Sequence, residues 1–441
     1  MVLERLVSAA SASAELPAAP PLRHGAFRGI LAVADQGVSS ATTFLCTALI
    51  GRSTSKEEFG IYALGLTVLV WSVGLQSAFV TTPYMYRQAN LVGSERRRLA
   101  GSTLIHQLVL AVLATVVVAF AAVVAGRIAP PGVAMTARAL AVCIGAVMLK
   151  EYGRQLSLAH RRPAEALALD IAVFVLQIGG FAWLARSGRA SSASAYVVTG
   201  LACGLAAVAW VARHRQVFQV RHSAASTDLR DNWAFGKWLF AGAIVTLCAK
   251  DMYGWVLTAF HGTAAAAVLA ACMGIVMLAQ PVIIGVGNHL GPTYARLLAE
   301  QGHAPLTRSV GRGTWVAAAF AISLVGAVLL FGEWAIGWVY GPQYLGNRLV
   351  LVGLALSLGT SILTMPIGVG LLALQRADLT FRAASVGALG TLVIGVSCAR
   401  AFGPLGAALG LLSVNALEST TKVVLFRRCM QQLAREGGTT T

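Results

Sequence analysis

A chain of 441 residues in which 57% of the side chains are hydrophobic and only 12% charged has too little polar surface for a water-soluble domain of its size. Apolar windows of about 20 residues, enough to cross roughly 30 Å of hydrocarbon, recur along it, so it reads as a polytopic membrane protein. The formal charge of +17 needs no nucleic-acid partner, because the basic residues sort by loop.

In chain order, the opening MVLERLVSAASASAELPAAPPLRHG contains Ala-Ser-Ala-like sites but no sustained apolar core, and Glu4 and Glu15 interrupt it. Residues 1–27 therefore read as a disordered tail and not as a cleaved signal. Twelve spans follow, at 28–50, 58–80, 101–126, 133–154, 164–185, 193–212, 236–260, 264–290, 312–333, 347–372, 380–400 and 404–426. They are continuously apolar, without the alternation of a β-barrel strand. The fold class is thus an all-α membrane protein of about twelve transmembrane helices. The longest interior connection, 213–235, divides them into two six-helix lobes, 28–212 and 236–426, around a central cavity, and 427–441 forms a second tail.

The halves match weakly in three places at an offset of roughly 210 residues. GAFRGI faces NWAFGKW, TTPYMYRQ faces GPTYARL, and LSLAHRR faces LLALQRAD, each at the same point of the topology. Six is even, so the halves share an orientation and the repeat is parallel, with its axis along the membrane normal. With both termini in the cytoplasm, most Lys and Arg residues, including Arg96, Arg97, Arg98, Arg213, Arg215, Arg427 and Arg428, fall on the inner side. The positive-inside rule favours that orientation, and the excess charge also suits anionic lipid head groups.

The seven cysteines are scattered without CxxC pairing and read as small helix-packing residues. The histidines form no HExxH-like constellation, and the acidic residues are dispersed. No catalytic residue, metal site or cofactor is predicted, and the chain is not read as an enzyme. GPLGAALGLL places Gly406 and Gly410 at the spacing of close helix packing. Trp334, Trp338, Tyr340 and Tyr344 read as an interfacial aromatic belt.

Polar groups inside the spans need a partner, a wet cavity or an escape route to the interface. Asp35 lies about 10 Å of helix rise into span one. Lys150 and Asp170 stand eleven residues before and nine after Arg161, at similar depth on consecutive antiparallel helices, where they can pair. Glu418 and Lys422 have the spacing of a local i,i+4 bridge. Lys250 and Asp251 adjoin in the middle of span seven, but helix neighbours point about 100° apart and cannot satisfy each other. Either they address different helices or the helix opens near Gly254.

The stretch LIGRSTSKEEFGIYALG, with Arg52, Glu57, Glu58, Phe59, Gly60 and Tyr62, resembles the R-x-L-G-P-E-E-[FY]-G-x-Y pattern of polysaccharide flippases in the multidrug/oligosaccharidyl-lipid/polysaccharide exporter superfamily. Ser53, Thr54, Ser55 and Lys56 replace its Leu-Gly-Pro portion. VYGPQYLGNRLVLVGLALSL is similar to the family's aromatic segment leading into span ten. The resemblance implies a flippase of the bacterial inner membrane that moves isoprenoid-pyrophosphate-linked oligosaccharide by alternating access, for lipopolysaccharide or exopolysaccharide synthesis. Membrane lipids, a polysaccharide polymerase and export machinery are the partners it implies. It makes Lys250, Asp251, Lys150 and Arg154 candidates for the substrate cavity, and Asp35 and Asp170 candidates for ion coupling. Span one reads FRGILAVADQG, so the arginines that peptidoglycan-precursor flippases carry there are not transferred. A cation-coupled multidrug exporter of the same fold is the alternative, and a membrane-embedded polymerase or ligase is a third, disfavoured by the lack of a long external loop.

Overall fold

A computed structural model describes residues 22–88, 91–219 and 222–438, and they fold as helices with no strand among them. Twelve segments follow the predicted order. They are α1 (Leu22–Ser53), α2 (Lys56–Gln88, with a π turn at Ser77–Thr81), α3 (Gly93–Ile128), α4 (Pro131–Ala159), α5 (Pro163–Arg186) and α6 (Ser192–Arg213). The second half supplies α7 (222–261), α8 (Thr263–Gln301), α9 (His303–Tyr340), α10 (Arg348–Ala373), α11 (377–402) and α12 (404–438).

Local chemistry sets the helix ends. Ser55 caps α2 by accepting a hydrogen bond from the Glu58 amide at 3.3 Å, and Ser191 and Ser194 form a reciprocal capping box on α6. Pro131 and Pro163 open α4 and α5, where the missing N–H costs nothing. Gly262 and Gly302, at φ 82° and 81°, turn the chain within one residue between antiparallel helices. Gly403, at φ 57° and followed by Pro404, folds the long final run into the α11–α12 hairpin, with Gly410 packed on Gly395 and Gly406 against the Cys398 carbonyl.

Several helices outrun the expected spans. α1 starts at Leu22, α7 at His222, and α12 continues to Gly438, so parts of 1–27, 213–235 and 427–441 are helical. Apolar windows mark only the hydrocarbon crossing, while backbone hydrogen bonding continues through Ala, Arg and Gln beyond it. Residues 1–21, 89–90, 220–221 and 439–441 lie outside the described residues. Nine helical runs among the described residues are long and apolar enough to cross a membrane. One of them, Ala377–Leu433, contains both α11 and most of α12, and α1 and α7, which carry polar residues along their length, fall outside that set.

The repeat is visible in the backbone. Arg161 and Gln375, both at φ 58°, occupy matching positions in the turns after α4 and α10. Around them the same cap recurs: Arg161 N donates to Leu158 O and Arg162 N to Ser157 O, while Gln375 N donates to Leu372 O and Arg376 N to Leu371 O, all at 2.9 Å.

Three apolar cores organise the molecule. One, around Tyr84, Tyr152, Leu156 and Trp210, lies wholly in the first lobe at the end that carries the termini. A second, around Tyr294, Leu306, Leu371 and Phe426, is its counterpart in the second lobe. The largest, with Phe59, Tyr62, Tyr196, Leu257, Tyr340 and Tyr344, draws on both lobes at the opposite end. The lobes therefore share their largest core at one end, while at the other each keeps a core of its own. Outward-facing side chains such as Val112, Phe120, Trp315 and Leu330 are exposed apolar groups suited to lipid.

In the first lobe's own core, Tyr84 Oη lies 2.6 Å from His160 Nε2 in the turn after α4. Burial, with Arg96, Arg162 and His214 nearby, pushes the His160 pKa down to about 4. A histidine held neutral in the fold but free to charge when unfolded removes stability as pH falls from about 6.5, its ordinary value, toward 4. Melting temperatures of the purified protein should decline across that window, and His160→Gln should flatten the decline.

Candidate functional site

The charged residues predicted inside the first lobe converge. Lys150 and Arg154 stand one turn apart on α4, Asp35 faces them from α1 and Asp170 from α5. Arg154 donates to Asp35 Oδ2 from Nε at 3.0 Å and from Nη2 at 2.7 Å. Its Nη2 also reaches Gln36 Oε1 at 3.2 Å, and its Nε lies 3.2 Å from Asp170 Oδ2. Lys150 Nζ stands 2.5 Å from Asp170 Oδ1. The helix register adds a fifth charge: Glu151 takes Arg154 Nη1 at 3.0 Å and lies 3.7 Å from Lys150 Nζ. Sequence reasoning passed over Glu151 and Gln36, although the i,i+3 spacing of Glu151 to Arg154 was there to read. Asp35 and Asp170 are 1% and 2% exposed, and Lys150 and Arg154 8% each, so the network is held out of water. Three carboxylates face two cations, which leaves one formal negative charge in excess when all are ionised.

Lys150, Glu151, Arg154 and Asp170 line a 390 Å³ cavity in the first lobe. Through Ser39 and Thr43 this adjoins a 690 Å³ cleft between α1 and α8, walled by Ser40, Thr47, Met277, Leu278, Ile284 and Tyr340. Through Met277 and Gln280 the cleft adjoins a 530 Å³ cavity of the second lobe, lined by Asp251, Ser357, Thr364, Asn415 and Lys422. The three cavities thus lie side by side from one lobe to the other, each sharing lining residues with the next.

Of the span-seven pair, Lys250 ends the helix His222–Lys250, and its side chain lies outside the described residues. The helix is interrupted at Asp251, three residues before Gly254, and resumes at Met252. Asp251 Oδ2 accepts a hydrogen bond from Trp71 Nε1 of α2 at 3.2 Å, so it addresses a helix of the other lobe. Beside it Trp255 Nε1 donates to Thr67 Oγ1 at 3.0 Å. Lys422 pairs with Glu418 at 2.6 Å, the local bridge its spacing predicts.

The motif after α1 forms the joint at the sealed end. Arg52 Nη1 donates to the Trp338 carbonyl, and Gln343 Nε2 donates to the carbonyls of Gly51 at 2.9 Å and Thr54 at 3.3 Å. Glu58 Oε2 accepts from Ser192 N at 2.7 Å and Ser192 Oγ at 2.6 Å, placing its charge at the N-terminus of α6. Phe59 packs 5.7 Å from Tyr340 and 5.9 Å from Tyr344 between ring centroids, and Tyr62 stacks on Tyr196 at 5.2 Å. Gly60 lets α2 meet the Thr263 backbone directly. Tyr340 and Tyr344 are fully buried in this joint and are not belt residues; only Trp334 and Trp338, 69% and 67% exposed, fit the belt. Aromatic spacing alone did not separate the two pairs, because facing into the joint or into lipid is decided by the other lobe.

At the end carrying the termini, Arg87 reaches Asp228 at 2.6 Å, Asp231 at 3.3 Å and Asn232 at 3.1 Å, while Phe79 stacks on Trp233 at 5.1 Å. The α2–α7 side is therefore bonded there, and the α1–α8 side holds the cleft. Removing the Gln343 bonds should loosen the sealed end. A cysteine reporter at Phe44 in a cysteine-free background should then react several-fold faster with an impermeant thiol reagent added from that side when Gln343→Ala is present.

No known family model matches the chain, and no curated protein matches it in sequence. Solved structures do match in fold. The lipid II flippase MurJ in an inward closed conformation aligns with a TM-score of 0.74 at 12% identity, covering 90% of this chain and 87% of that one. An inward-facing multidrug resistance MATE family transporter of the MOP superfamily aligns with a TM-score of 0.71 at 14% identity over 92% and 99%. An outward-facing conformation of such a transporter gives 0.60 at 13% identity over 92% and 95%. At these identities the likeness concerns the fold: the chain shares its all-helical architecture with these solved structures.

Proposed function

We propose that this chain is a flippase that carries an isoprenoid-pyrophosphate-linked oligosaccharide across the bacterial inner membrane for surface polysaccharide synthesis, by alternating access of its two lobes with both termini in the cytoplasm. The observation that carries this reading is the 690 Å³ cleft between α1 and α8. Its hydroxyl-bearing wall on α1 and apolar wall on α8 suit an amphiphile whose sugar enters the cavity while its tail stays in lipid. Lys250 remains a proposed pyrophosphate contact, and Asp35 and Asp170 proposed coupling groups.

Deleting the gene should make undecaprenyl-linked oligosaccharide accumulate in the inner leaflet and reduce surface polymer. An unchanged polymer without accumulation overturns the proposal. One observation favours a second reading, a cation-coupled multidrug exporter: the excess of carboxylate in the first lobe suits a cation. Lys250→Gln separates the two, since loss of polysaccharide export with intact dye efflux supports the flippase and the reverse supports the exporter.

A further inference from the structure

We infer that Arg154 and Lys150 form a binding site for a phosphate group, kept masked by Asp35 and Asp170, and that occupying it takes up a proton. The inference rests on the flippase reading for its natural ligand, a phosphorylated lipid, and names the chemistry of the same cavity.

A guanidinium fork and an ammonium one turn apart, both lining a cavity, are the donor set that recognises a phosphate. Here the fork is turned backward onto Asp35, with two N–H groups on the single oxygen Oδ2. The charged and titratable groups around it are Asp35 on α1, Lys150 and Glu151 on α4, Asp170 on α5, and the thiols of Cys46 on α1 and Cys203 on α6, which line the same cavity. With three carboxylates ionised, a phosphate arriving at this cluster meets one excess negative charge in a poorly solvated site, and repulsion opposes it. Protonating one carboxylate removes that obstacle.

The geometry at Asp35 leaves a place for the proton. Its Oδ1 is buried and has no hydrogen-bond partner among the described residues, so a proton added there breaks no bond. The neutral acid then releases the fork, which turns to the phosphate, and Lys150 exchanges one oxygen of Asp170 for one of the ligand. In the balance one proton enters from water, one phosphate enters the cavity, and no covalent bond changes. The sign of the linkage follows. An anion bound here takes up a proton and binds more tightly as pH falls, whereas a cation bound on the same carboxylates would expel one and bind more weakly.

The test is calorimetric titration of the full-length protein in lipid nanodiscs with a soluble pyrophosphate diester, a nucleoside diphosphate sugar whose phosphate charge is constant across the range, at pH 6 and pH 8 and in two buffers of different ionisation enthalpy. Affinity should rise about tenfold per pH unit on acidification while about one proton is taken up. Asp35→Asn should bind equally at both pH values, at least as tightly as the wild type at pH 6, without proton uptake. Asp35→Asn/Arg154→Gln, which removes both partners of the pair and so keeps the charge balance of the wild type, should not bind. Binding that is pH-independent or weaker at low pH in the wild type, or that survives in the double variant, overturns the inference. If proteoliposomes flip lipid-linked oligosaccharide but no pH-linked pyrophosphate site exists, this inference fails and the proposed function stands. A pH-linked site in a protein that flips no such lipid keeps the phosphate site and overturns the proposed function.

Discussion

Arg154→Gln should lower the stability of the protein by about 3–5 kcal/mol, the range seen when one partner of a buried ion pair is removed. The guanidinium serves Asp35, Gln36, Glu151 and Asp170 at once, from three helices. Its loss leaves Asp35 and Asp170 charged, almost fully buried and with only Lys150 to answer them. Arg154→Lys should recover only part of the loss, because an ammonium cannot reproduce a planar fork. Asp35→Asn/Arg154→Gln should be clearly more stable than Arg154→Gln alone, since the second change removes the stranded charge. Thermal unfolding of the purified wild type and the three variants measures these differences. If the single Arg154→Gln protein melts with the wild type, the network contributes nothing to the fold.

The other large effect belongs to Gly60. A Cβ at this position would enter the van der Waals radius of the Thr263 carbonyl oxygen and press on Thr263 Cβ, and neither belongs to a flexible side-chain end. Gly60→Ala should therefore push α2 away from α8 at the sealed end, at a cost of about 1–3 kcal/mol in melting stability, with loss of transport. Gly74→Ala, on the same helix but with nothing within 4 Å of its added Cβ, is the control and should be near neutral or slightly stabilising. Equal behaviour of the two variants would show that the joint tolerates separation.

These sites were legible in the sequence to different degrees, for physical reasons. Helix count and order follow from apolar windows, which need no knowledge of neighbours. The Lys150–Asp170 pair follows from counting residues on either side of the Arg161 turn, because antiparallel helices fix depth. The meeting of Asp35 with Arg154 joins residues 119 positions apart, and depth along separate helices does not say which faces meet. The sealed end was the least visible part. Arg52 and Gln343 bond to backbone carbonyls 286 to 292 residues away, and a carbonyl acceptor leaves no mark on the residue type that carries it. The flippase-like motif pointed to that stretch without saying what its residues touch.

The three-core arrangement bears on how the molecule divides its time. A protein whose lobes share their largest core at one end carries a bias toward the conformation that keeps it. Any counter-conformation must separate Phe59 from Tyr340 and Tyr344, so its occupancy at rest is set by how much apolar contact the opposite end regains. A cargo moves that occupancy only through the difference in its affinity for the two conformations. If the lobes alternate as proposed, turnover without cargo should be rare, with the aromatic joint a brake on idle cycling that loosening mutations would release as leak.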